Sequence, residues 1–147
     1  MIEFLDAAQR LSMAALVGGA VGLNRNVNGK PVGVKTLALV SVGAAAFTMA
    51  GTDFVDTGRW DAASRVIQGI ATGVGFVGAG AILKNDKEEN IEGLTTATSV
   101  WVTAALGCAC GLGEWRIAGL ATLVALAVLL LGSRVEALAQ RLLGRKE

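Results

Sequence analysis

The residues able to do covalent or acid–base chemistry are few in this chain and poorly spaced for it. There is no histidine, which removes imidazole catalysis and every histidine-containing triad. Cys108 and Cys110 are two positions apart, and on a helix that turns their side chains roughly 200° from one another. Within one chain they cannot share a metal ion, and they read as buried apolar thiols. Asp86, Glu88, Glu89 and Glu92 crowd a single short segment. A solvated charge run is favoured there over weak attraction of a divalent ion. The run Gly73-Val74-Gly75-Phe76-Val77-Gly78 spells G-x-G-x-x-G. A dinucleotide site also needs a preceding strand, a solvent-facing helix start and an acidic residue about 20 positions on. Here the motif lies inside an apolar stretch. With no nucleophile–base pair left, the expectation is a protein that is not an enzyme and uses neither cofactor nor metal.

What remains is a set of polar side chains at helical spacing. Arg65, Gln68, Gly69 and Thr72 share one helix face, and Thr95, Ser99 and Thr103 recur every four residues, with Thr96 and Thr98 beside them. Their hydroxyls either bond the carbonyl one turn back and neighbouring helices, or line a hydrated path. Two arrangements are open for the wider set. Asn24, Arg25, Arg65, Gln68, Thr95 and Thr96 form one network, or they divide into an inner cluster (Asn24, Arg25, Thr95, Thr96) and an outer one (Arg65 and Gln68, with Arg10 and Asp61).

The elements that hold these residues follow from where charge is absent. All 13 Lys and Arg and all 12 Asp and Glu fall outside five windows: 11–24, 36–52, 66–83, 93–113 and 117–133. A bilayer core of ~30 Å takes roughly 20 apolar helical residues, and hydrocarbon offers the backbone no hydrogen-bond partner. The chain is 53% hydrophobic and 17% charged, with a mean hydropathy of +0.57, where a soluble domain is about a quarter charged. The expected fold is therefore an all-α bundle of five transmembrane helices, approximately 5–24, 35–52, 65–83, 93–113 and 116–133. A short basic amphipathic tail, 134–147, follows as a continuation of the last helix. The first window is too short to span and must recruit Asp6 and Arg10, which share a face, or Asn24 and Arg25. The acidic N-terminus lacks the basic region of a secretory signal. A net charge of +1 gives no basic stripe for nucleic acid.

Orientation follows from basic residues. Arg25, Lys30, Lys35, Lys84, Lys87, Arg134, Arg141, Arg145 and Lys146 fall on one side, and Arg10, Arg59, Arg65 and Arg116 on the other. The positive-inside rule places the first side in the cytoplasm and the N-terminus outside. Trp60 and Trp115 then both sit at the outer interface, where indoles are enriched.

Glycines supply the packing signal. Gly18 and Gly22, Gly69 and Gly73, and Gly107 and Gly111 each make a G-x-x-x-G step, which lets helix backbones approach in lipid. The segment around Gly69, Gly73, Gly75, Gly78 and Gly80 is richest, so the third helix is expected at the centre of the bundle. Three such steps also predict a homodimer or larger assembly with a glycine face at the subunit contact.

Several blocks occur in an order that resembles the MgtC/SapB family of bacterial inner-membrane proteins. They are Gly22-Leu23-Asn24-Arg25, the run from Lys30 through Lys35-Thr36-Leu37, Ser64 to Ile70 continuing to Gly75 through Leu83, Gly93-Leu94-Thr95-Thr96-Ala97, and Trp101 to Gly107. The resemblance covers roughly residues 11–113. It implies a multi-pass inner-membrane protein of the short form, with five helices, an outside N-terminus and a cytoplasmic C-terminus. It implies association with survival at low magnesium and inside host cells. It also implies action by contact with other inner-membrane proteins, the F-type ATP synthase among them. On this reading Asn24, Arg25, Lys35, Thr36, Arg65, Gln68, Thr95, Thr96 and Ser99 are the functional polar set. Gly18, Gly22, Gly69, Gly73, Gly78, Gly107 and Gly111 are the packing set. Two departures stand out: Asn24 where the family usually has glutamate, and Lys35 where it has arginine. The alternative is a magnesium or proton transporter with a polar path between helices 1, 3 and 4, against which no window contains a carboxylate.

Overall fold

The computed structural model describes residues 3–52, 60–84 and 91–143. Five helices hold nearly all of them: α1 (Phe4–Val27), α2 (Val34–Thr52), α3 (Trp60–Ala79), α4 (Leu94–Leu112) and α5 (Trp115–Leu143). Between α3 and α4, the two-residue strands β1 (Leu83–Lys84) and β2 (Ile91–Glu92) pair antiparallel, Leu83 opposite Glu92 and Lys84 opposite Ile91. The body is all-helical, as expected, and this small pairing is an addition to it. It arises because α3 stops at Ala79, short of the charge-free window. Its end tightens through three-residue turns, Ala81 N–H to Gly78 O at 2.9 Å and Ile82 N–H to Ala79 O at 3.1 Å, a common way to satisfy terminal carbonyls.

α1 solves its length problem by taking in both polar ends. Its 24 residues rise ~36 Å, with Asp6 in the first turn and Arg25 in the last, each the favourable sign for that end of the helix dipole. The α4–α5 connection is two residues long. Gly113 there has φ 78°, a left-handed conformation glycine adopts at no steric cost. Its N–H and that of Glu114 return to Cys110 O and Ala109 O, at 3.0 and 2.9 Å.

The glycine steps fix how the helices pack. A Cβ placed at Gly18 would stand 2.6 Å from Leu37 O, one at Gly22 2.6 Å from the Val34 Cα, and one at Gly111 2.6 Å from Ala45 O. A Cβ at Gly107 would strike the Ser41 backbone. Gly107 meeting Ser41 and Gly111 meeting Ala45 makes α2 and α4 parallel. Gly18 at Leu37 and Gly22 at Val34 makes α1 and α2 antiparallel. These contacts put α2 and α4 at the centre, with Leu37, Ser41, Ala45, Thr103, Leu106 and Cys110 buried between neighbours.

α3 does not take the central place its glycine content suggested. Among the described residues, Gly69, Gly73 and Gly75 have nothing within 4 Å of an added Cβ, and their face is exposed. Glycine marks where a backbone can approach; it does not supply the approaching chain. α3 meets the body along its other side, where Val66 packs on Gly51 and Gly78 on Ala97. α1 packs on α2, α4 and α5, and α3 on α2 and α4.

Among the described residues, α2, α4 and the Trp115–Gly132 part of α5 are long and apolar enough to cross a membrane. Leu120, Leu123, Val124, Leu130 and Leu131 of α5 are exposed, as are Leu16, Phe47 and Phe76 on other helices. Contiguous apolar surface of this kind is foreign to a water-soluble monomer and natural against lipid.

Candidate functional site: a polar cavity at one end of the bundle

α1 and α4 run antiparallel, and an arginine near each end of α1 grips α4. At one end Arg10 Nη1 donates to Gly111 O at 2.7 Å while its Nε lies 2.9 Å from Asp6 Oδ2. The carbonyl is one of the four a helix leaves without an internal partner at its C-terminus, and a cation there suits the dipole. At the other end Arg25 Nη2 donates to Thr96 Oγ1. Here the sign is reversed, because Thr96 lies in the first turn of α4, at the positive end of its dipole.

Arg25 is 5% exposed, and its Nε has no hydrogen-bond partner among the described residues. Among the described residues no carboxylate forms an ion pair with it. It lines an open cavity of about 880 Å³ together with Asn24 and Lys30 from the α1 end, Glu92, Thr95 and Thr96 from the start of α4, and apolar Val128 and Leu129 of α5. α4 begins at Gly93 with no side-chain cap and no acidic residue in its first turn. Its first free backbone N–H groups therefore face this region without a partner from their own helix. Between Pro31 and Gly33, Val32 sits at φ 62°, a sparsely allowed conformation for a β-branched residue.

The sequence profile of the MgtC family matches residues 11–138. This chain belongs to the MgtC family. It is 40% identical over 136 residues to the protein SrpB of Synechococcus elongatus, covering 86% of this chain and 75% of SrpB. It is 39% identical over 125 residues to YhiD of Escherichia coli K12, covering 82% of this chain and 57% of YhiD. To the MgtC protein of Salmonella typhimurium LT2 it is 36% identical over 116 residues, 79% of this chain and 48% of that protein. The chain thus spans between about half and three-quarters of these relatives. No solved structure matches it.

The family match runs into α5, beyond the blocks that carried the resemblance. Within this MgtC-family fold the expected polar residues separate. Asn24, Arg25, Thr95 and Thr96 line the cavity. Ser99 is buried just below, its hydroxyl donating to Thr95 O at 2.7 Å. Lys35 and Thr36 are exposed at the start of α2. Arg65 and Gln68 are exposed on α3 and do not line the cavity, and Gln68 Nε2 donates to Ser64 Oγ at 3.4 Å. Asp61 and Trp60 have side chains outside the described set, and Asp86, Glu88 and Glu89 lie outside the described residues altogether. Of the packing set, Gly18, Gly22, Gly78, Gly107 and Gly111 face a helix, whereas Gly69 and Gly73 face none among the described residues.

Of the stripe hydroxyls, Thr72, Thr98 and Ser99 bond their own helix, to Gln68 O, Thr95 O and Thr95 O at 2.9, 3.0 and 2.7 Å, and Thr48 and Thr122 on α2 and α5 do the same with Ala44 O and Ala118 O. Ser41 and Thr103 are buried with hydroxyls lacking a partner among the described residues. Cys108 and Cys110 are both buried free thiols. No cluster of three or more metal-ligating side chains occurs among the described residues. Sequence reasoning missed the contributions of Lys30 and Glu92 to the cavity and the hold of Arg10 on Gly111. One signal was present: Arg10 to Arg25 and Thr96 to Gly111 are equal separations, as two antiparallel helices bound at both ends require.

Proposed function

We propose that this MgtC-family protein is a regulatory inner-membrane protein that acts by contact with other membrane chains, and that α3 carries the contact. One observation supports this above the rest. Of three G-x-x-x-G steps, those of α1 and α4 each receive a helix of the same chain, and among the described residues nothing packs on the Gly69–Gly73 step of α3. Small residues in lipid earn their place where another backbone approaches closely. A second copy of the chain fills this face in a homodimer, since two identical glycine steps are self-complementary about a twofold axis. Other inner-membrane proteins compete for the same face, and the family resemblance makes the F-type ATP synthase the first to assay.

In this reading all five helices span the membrane, with the N-terminus outside and the C-terminus cytoplasmic. The alternation of directions supports it: α1 antiparallel to α2, α2 parallel to α4, α1 antiparallel to α4. The cavity with Arg25 and Lys30 then opens on the cytoplasmic side. Because YhiD is by name a candidate magnesium transporter, we place the physiological setting in magnesium limitation. A cation path between helices 1, 3 and 4 finds less support. α1 and α3 lie on either side of the α2–α4 pair, and Arg25 stands buried at the cavity wall.

The test is size-exclusion chromatography with light scattering in mild detergent, paired with co-purification and mass spectrometry. Gly69→Leu and Gly73→Leu should each lower the assembly state and lose membrane partners while the chain still folds. Unchanged assembly together with an unchanged partner list in both variants would rule the reading out. Magnesium flux in liposomes carrying the purified chain alone would favour the transporter.

A further inference from the structure

We infer that the cavity at the α1–α4 end is an anion site that takes a phosphate group, with Arg25 as its principal ligand. This does not rest on the contact role of α3, which lies elsewhere on the bundle. The first ground is an imbalance of charge. Arg25 is 95% buried, offers five N–H donors, and spends one on the neutral hydroxyl of Thr96. Its Nε is unpartnered, and no carboxylate pairs with it among the described residues. A buried guanidinium without a counter-charge is strongly disfavoured, and its planar fork matches the oxygens of a phosphate.

The second ground is independent of the side chain. The guanidinium sits at the start of α4, where helix geometry leaves backbone N–H groups free and the dipole repels a cation. Gly93, Leu94, Thr95 and Thr96 all line the same cavity, and α4 has neither a side-chain cap nor an acidic first turn. An anion placed between the two resolves both problems at once, because it pairs with the guanidinium and accepts from the helix terminus. Lys30 adds a second positive charge at the rim, and the exposed carboxylate of Glu92 opposes it. The remaining wall is apolar, from Val128 and Leu129 of α5. Phosphate reaches such a site from two sources, a phospholipid headgroup whose chains lie along α5, or a free phosphate from the aqueous side.

The full chain in nanodiscs of phosphatidylcholine, titrated with inorganic phosphate and pyrophosphate at constant ionic strength, tests the free source through its unfolding midpoint. Nanodiscs containing phosphatidylglycerol, followed by native mass spectrometry, test the lipid source. One of the two should bind. Arg25→Gln should abolish that binding, and Lys30→Gln should weaken it about ten-fold, the equivalent of one charge-assisted contact. Should Arg25→Gln fail to fold, Asn24→Glu decides: a carboxylate built into the same cavity wall occupies Arg25 from within and should expel the ligand while keeping the fold. Binding of neither source overturns the assignment. So does ligand binding as tight in Asn24→Glu as in the parent, or a response to Mg²⁺ alone.

Discussion

Replacing Gly111 by alanine asks the α2–α4 contact to accept a single methyl group. The new Cβ would lie 2.6 Å from Ala45 O, 2.9 Å from Thr48 Cβ and 3.0 Å from Ala45 Cα. Two of these neighbours are backbone and cannot rotate away. Ordinary contact begins near ~3.5 Å, so α4 must withdraw from α2 by roughly 1 Å. Overpacking of this kind costs about 1–3 kcal/mol. For a chain of this size each kcal/mol moves the unfolding midpoint by about 2–4 °C, so a fall of roughly 2–12 °C is expected. Gly119→Ala in α5 is the matched control, with nothing within 4 Å of its new methyl among the described residues. It should leave the midpoint unchanged or raise it slightly, since alanine exceeds glycine in helix propensity by about 0.8–1 kcal/mol. Thermal unfolding in detergent, read by intrinsic tryptophan fluorescence, compares the two. Equal losses in both variants, or no loss in Gly111→Ala, would refute the placement of α4 against α2.

Three further outcomes follow from the ends of α1. Arg10→Gln removes a charged donor from Gly111 O and should cost about 1.5–3 kcal/mol in detergent unfolding. Asp6→Asn, which breaks only the partly exposed ion pair, should cost no more than about 1 kcal/mol. Thr96→Val takes away the acceptor that Arg25 uses and should lower stability by about 1–3 kcal/mol, with Thr96→Ser restoring it. A reporter fused after Glu147 should be active in the cytoplasm and silent in the periplasm, and periplasmic activity would overturn the proposed orientation.

Much of this architecture was readable from charge alone, because hydrocarbon excludes ions and the gaps between charges mark the helices. The residues that define the cavity were readable in part. Asn24, Arg25, Thr95 and Thr96 announce themselves as polar groups beside apolar spans. Lys30 and Glu92 look like ordinary connector charges until α1 and α4 are seen to bring them together. The centre of the bundle was not legible. The glycine steps of α3 and α4 look alike in sequence, and only the partner helix distinguishes them. Val32 likewise gives no local sign of its left-handed backbone.

The two arginines of α1 also act as a ruler. Arg10 reaches Gly111 and Arg25 reaches Thr96, so equal stretches of two antiparallel helices are measured against each other. Inserting or deleting one residue inside either stretch shifts everything beyond it by about 1.5 Å and turns it by about 100°. One arginine would then keep its contact while the other pointed away. The two helices can therefore change length only together. α3 shows no such double clasp among its described contacts, which leaves it the element of this bundle freer to be lengthened, shortened or re-aimed without undoing the core.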